Sequence, residues 1–83
     1  MTEKDIIDEG FERIDVSAEE SGGNAYHYYT YDFCSGFSLI TPASDEIEDE
    51  WYVEVFDAPD IRIKDRWKLF SLIEAINQNI KEW

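Results

Sequence analysis

The chain has 83 residues, enough for one core but short of the roughly 100 to 150 common for a domain. Its apolar share of 43% and aromatic share of 16% exclude a disordered chain, because that much apolar surface can drive collapse. Twenty acids against seven Lys plus Arg leave a net charge of −13, a field that opposes binding to nucleic-acid phosphates or anionic membranes and favours basic protein partners.

In chain order, Thr2 and Asp5 form a capping pattern ahead of a short helix over 3–9. Gly10 fits the position after its last turn, where φ is positive. Residues 11–16 read as a strand with Glu12, Ile14 and Val16 on one face and Phe11 on the other. Ser21-Gly22-Gly23-Asn24 is a turn. The tyrosine-rich segment 25–33 is a strand with Tyr29, Tyr31 and Phe33 on one face and Tyr26, Tyr28, Thr30 and Asp32 on the other.

Cys34-Ser35-Gly36 turns the chain into a strand over 37–41, on which Phe37 and Leu39 share a face. Residues 42–50 read as an acidic loop and 51–56 as a strand with Trp51, Val53 and Val55 on one side. Residues 57–60 read as a turn, and 61–64 as a brief edge strand. A C-terminal helix follows with Asp65 as N-cap. Leu69, Ile73, Ile76, Ile80 and Trp83 mark one face, which Trp67, Phe70 and Leu72 widen.

The whole predicts one α+β domain over 1–83. It is an antiparallel meander sheet of four to five strands, with a short N-terminal helix and a long C-terminal helix packed on one face. The opposite face would carry Tyr26, Tyr28, Tyr52 and Phe56, and if bare would suggest a protein interface. A single cysteine excludes an internal disulfide, and the start of the chain lacks the basic and apolar pattern of a secretory signal. A cytoplasmic location is the corresponding expectation.

The charge is lopsided. Residues 1–60 hold 17 acids and two bases, while 61–83 hold three acids and five bases. Arg62, Lys64, Arg66 and Lys68 read either as cations that neutralise nearby carboxylates or as a small anion-binding rim. The acidic run 45–50 lacks the mid-loop glycine and ligand offsets of a calcium loop. His27 has no second histidine, which points to packing rather than metal binding or catalysis. Cys34 and the nearby serines have no evident base, and the Gly22-Gly23 turn lacks the Lys of a phosphate loop. No catalytic residue, metal ligand or cofactor is expected, and an enzymatic role has no support beyond abundant carboxylates.

The reading that remains is a binding protein whose carboxylates stand in for phosphates on a basic partner. Its contact residues are Glu12, Asp15, Glu19, Glu20, Asp45, Glu46, Glu48, Asp49 and Glu50, with Tyr26 and Tyr28 as aromatic contacts. The alternative is an assembly module that oligomerises through its aromatic sheet face.

A short helix followed by Gly10-Phe11-Glu12-Arg13-Ile14, then Tyr28-Tyr29-Thr30-Tyr31-Asp32, then Trp51-Tyr52-Val53-Glu54-Val55 resembles small acidic proteins encoded by phages and prophages. Several of these inhibit bacterial defence nucleases, CRISPR effectors among them, and some mimic DNA. The resemblance implies an anti-defence role and carries over no individual functional residue.

Overall fold

In the computed structural model, which describes residues 1–34 and 36–79, the order is α1 (Glu3–Asp8), β1 (Glu12–Val16), α2 (Ala18–Ser21), β2 (Tyr26–Cys34), β3 (Phe37–Ile40), a short 3-10 helix (Ser44–Glu46), β4 (Val53–Val55), β5 (Ala58–Ile63) and α3 (Arg66–Asn79). The five strands form one antiparallel sheet in the order β1-β2-β3-β4-β5. The α+β meander expected from the short connections is the fold.

Local chemistry explains the helix boundaries. The Thr2 hydroxyl accepts from the Asp5 N–H at 3.2 Å, and the Asp5 carboxylate accepts from the Thr2 N–H at 2.9 Å. This reciprocal pair satisfies two otherwise unpartnered donors at the start of α1. Gly10 takes φ 93°, a conformation in which a Cβ is strained, and so lets the chain leave α1 for β1. At α3 the Asp65 carboxylate accepts from the N–H groups of Trp67 and Lys68, at 2.7 and 3.4 Å.

The strand registers divide the sheet into two faces. Arg13 lies opposite Tyr29, Tyr31 opposite Leu39, Leu39 opposite Val55, and Val53 opposite Ile63. This face holds the core: Tyr29, Leu39 and Val53 pack with Phe11, with Ile6 of α1 and with Leu69 and Ile73 of α3. The other face carries Glu12, Ile14 and Val16 of β1, Tyr26, Tyr28 and Thr30 of β2, Ile40 of β3 and Glu54 of β4. The buried helix residues Ile6, Leu69 and Ile73 all pack on the core side.

Three expectations need correction. The strand over 51–56 is only Val53–Val55, because the Trp51 N–H donates to the Met1 carbonyl at 3.0 Å instead of to a neighbouring strand. The reversal lies at Phe56-Asp57 rather than over 57–60, and β5 already begins at Ala58. Pro59 is tolerated there because β5 is an edge strand and one side of its backbone needs no donor. Segment 18–21, to which the sequence reading assigns no element, is a helical turn, with the Ser17 hydroxyl accepting from the Glu20 N–H at 3.2 Å and Gly22 closing it in the left-handed conformation. Trp67 and Phe70 do not widen the buried face of α3: they are 71% and 45% exposed, whereas Leu72 does pack on the core. Ile80 and Trp83 lie outside the described residues. Cys34 is exposed at the end of β2.

Candidate functional site: an acidic end, a bare sheet face and a carboxylate clamp

Antiparallel order brings the C-terminal ends of β1, β3 and β5 to the same end of the sheet as the N-terminal ends of β2 and β4. That end receives α2 and the loop over 43–50, and with them Glu19, Glu20, Asp45, Glu46, Glu48, Asp49 and Glu50, as well as Asp15 at the end of β1. Two anchors hold the loop. The His27 N–H donates to the Ser44 hydroxyl at 3.1 Å. The Met1 ammonium lies 3.2 Å from the Glu50 carboxylate and donates to the carbonyls of Trp51 and Lys64 at 3.3 and 3.1 Å.

Two grooves open here. One of about 500 Å³ is lined by Glu46, Glu48, Asp49 and Glu50 with Tyr52, Arg62 and Lys64. The second, of about 450 Å³, is lined by Asp15, Glu20, Tyr26, His27 and Ser44 among others. Asp15 is paired with Arg13 at 2.9 Å. Glu19, Glu20, Asp45, Glu46, Glu48 and Asp49 make no ion pair among the described residues, so their charge faces solvent.

The cations of the last quarter are partly consumed. Arg62 lies 3.6 Å from Glu54 and over the Tyr52 ring at 5.3 Å, and Arg66 lies 3.2 Å from Asp5. They neutralise neighbouring carboxylates and do not assemble one anion-binding rim.

Glu12 does not join the acidic end. It sits at the start of β1, at the opposite end of the sheet, beside Gly10, Thr30, Tyr31 and Asp32. Tyr26 and Tyr28 lie half-buried on the bare face with ring centroids 6.5 Å apart, beside Ile14 and Val16 of β1.

A constellation the sequence did not single out lies on the covered face. The Tyr29 hydroxyl donates to Glu3 Oε2 at 2.7 Å, and His27 Nε2 lies 2.6 Å from the same oxygen. A carboxylate oxygen only accepts, so His27 presents its proton at Nε2. The Tyr29 hydrogen bond holds the Glu3 carboxyl below its usual range against the opposing effect of burial, with His27 helping. Burial and the Glu3 charge push the Tyr29 hydroxyl up. The His27 ring stacks on Trp51 at 5.8 Å and meets Tyr29 edge-on at 5.7 Å. The group clamps α1 to β2. The i, i+2 spacing of His27 and Tyr29 puts them on one face, but only packing supplies Glu3.

No group of three or more His, Cys, Asp or Glu converges as metal ligands among the described residues, and none of their helices is long and apolar enough to cross a membrane. Fold and surface together define a small α+β domain with one helix-covered face, one bare face and one acid-bearing end. No protein-family model, curated protein or solved structure matches the chain.

Proposed function

We propose that this chain is an acidic protein-binding module whose acid-bearing end seats on the basic surface of a partner that ordinarily holds nucleic acid. The observation that carries the reading is the gathering of carboxylates from α2, the 3-10 helix and the 43–50 loop at one end, six of them in no ion pair among the described residues. Unpaired surface carboxylates on an anchored backbone attract a basic groove through the same field that draws DNA to it, and they release its bound anions. Tyr26 and Tyr52 line the two grooves at that end and offer apolar contact next to the charge. The resemblance to acidic phage and prophage proteins supports a bacterial defence nuclease as the kind of partner inhibited.

The test is capture from a bacterial lysate on the immobilised chain at low salt, followed by elution with either salt or duplex DNA. Nucleic-acid-binding proteins should elute with both. The triple variant Glu46→Gln, Glu48→Gln, Asp49→Asn should lose them, while Glu12→Gln, at the other end, should keep them. Capture indifferent to salt, to DNA and to the triple variant would end this reading.

The bare face carrying Tyr26, Tyr28, Ile14, Val16 and Ile40 favours a second reading, an assembly module without inhibitory activity. A Tyr28→Ser variant that loses its partner while the triple variant keeps it would select that alternative.

A further inference from the structure

An open sheet has two edges, and here β1 is one of them. Its backbone polarity can be read from its neighbours. The Thr41 N–H donates to the Tyr29 carbonyl at 3.0 Å, so the main-chain groups of Tyr29 point at β3 and those of Tyr28 and Thr30 point at β1. Ile14 and Glu12, opposite Tyr28 and Thr30, therefore direct their N–H and C=O groups into the sheet. Arg13 and Asp15 direct theirs outward. Among the described residues, no group outside the sheet bonds to the main chain of either, and β2 is the element packed extensively along β1.

We infer that β1 is a self-association edge on which a second copy of the chain pairs antiparallel, about a two-fold axis through Ile14. Charge selects this register. With Ile14 opposite Ile14, the outward-facing Arg13 of each copy lies opposite the outward-facing Asp15 of the other, and each such pair exchanges both of its N–H···O bonds. A slide of one residue sets outward groups against inward ones. A slide of two sets Arg13 on Arg13 or Asp15 on Asp15.

The intramolecular Arg13–Asp15 pair, at 2.9 Å, already holds both side chains on the helix-covered side of the strand, where the pairs across the axis would form. The two bare faces become one continuous surface. The antiparallel arrangement also sends the two acidic ends in opposite directions, which limits repulsion between chains that each carry −13. This inference does not rest on the acidic-end reading, and the two respond to salt in opposite senses.

The experiment is sedimentation equilibrium of the full chain across protein concentration. Dimer should grow as salt rises from about 0.05 to 0.5 M, because like net charges are screened. Arg13→Asp and Asp15→Arg each place like charges across the axis and should weaken the dimer about tenfold or more, two reversed cross-strand pairs being involved. Mixing those two chains should restore it as a heterodimer. Asp15→Pro removes an outward donor while sparing the ladder to β2, and should leave a monomer whose far-ultraviolet circular dichroism is unchanged. A chain monomeric at every salt and concentration overturns the inference. So does a dimer indifferent to all three substitutions, or folded charge variants that do not pair when mixed.

Discussion

At the scale of single residues, Glu3 shows how one side chain ties elements together. Two donors on β2 converge on one of its oxygens, and the Asp5 carboxyl beside it, two residues along α1, is likewise held below its usual range, chiefly by the Thr2 N–H. A carboxyl whose folded-state pKa is depressed adds stability above its unfolded value and loses it as pH falls through the folded value. For Glu3 and Asp5, with ordinary values of 4.5 and 3.8, that loss belongs to the acid limb. Tyr29 has the opposite sign: its contribution is complete below its ordinary value of 10.0 and fades as pH rises past its raised folded value. Tyr29→Phe keeps the buried ring and removes the leading donor. The Glu3 midpoint, followed by carboxyl-carbon NMR, should then move upward toward 4.5, and the chain should lose about 1 kcal/mol for the missing hydrogen bond. An unmoved midpoint would show that the hydroxyl does not hold the charge.

At the scale of elements, β2 separates packing from surface within one strand. Tyr29 is 1% exposed under the helices, whereas its neighbour Tyr28 lies half-buried on the bare face. Tyr29→Ala should cost about 3 to 5 kcal/mol, a large part of what an 83-residue domain has, while Tyr28→Ala should cost less than about 1 kcal/mol. Urea midpoints of the two variants check this, and similar midpoints would contradict the assignment of faces. Asp65→Ala should cost about 1 kcal/mol through loss of the α3 cap and lower the urea midpoint accordingly.

Features that depend on neighbours in sequence were legible beforehand: the Thr2–Asp5 box, Gly10, the Asp65 cap and the alternation along β2. The S-x-x-E pattern of Ser17 and Glu20, with Gly22 behind it, was equally local and would have identified α2. The shortened β4 was not legible, because the Trp51 N–H is taken by a carbonyl 50 positions away. The candidate site divides in the same way. Composition singles out the acids, but strand direction decides that Glu19, Glu20 and the 45–50 run share an end while Glu12 lies at the other. The Glu3 clamp needed α1 folded onto the sheet.

At the scale of the whole molecule, the acidic end has an energetic consequence that is independent of any partner. Like charges held close in the folded state and more dispersed in the unfolded chain favour unfolding. Six carboxylates gathered at one end of the sheet and in no ion pair among the described residues, in a molecule of net −13, should therefore lower stability. Neutralising Glu46, Glu48 and Asp49 to their amides spares Glu50, which the Met1 ammonium contacts, and removes repulsion without breaking an ion pair among the described residues. The melting temperature at low salt should rise by about 4 °C, corresponding to roughly 0.5 to 1 kcal/mol in a domain of this size. Salt alone is an ambiguous probe, since it also strengthens apolar burial and screens the favourable pairs. The difference between native chain and variant is not ambiguous: it should be largest at about 0.05 M salt and shrink toward zero near 0.5 M, where charges more than a few ångströms apart no longer interact. A variant that is no more stable at low salt, or whose advantage persists at high salt, would mean that these carboxylates are too widely spaced to act as one field. The attraction of the acidic end for a basic groove would lose its physical basis with it.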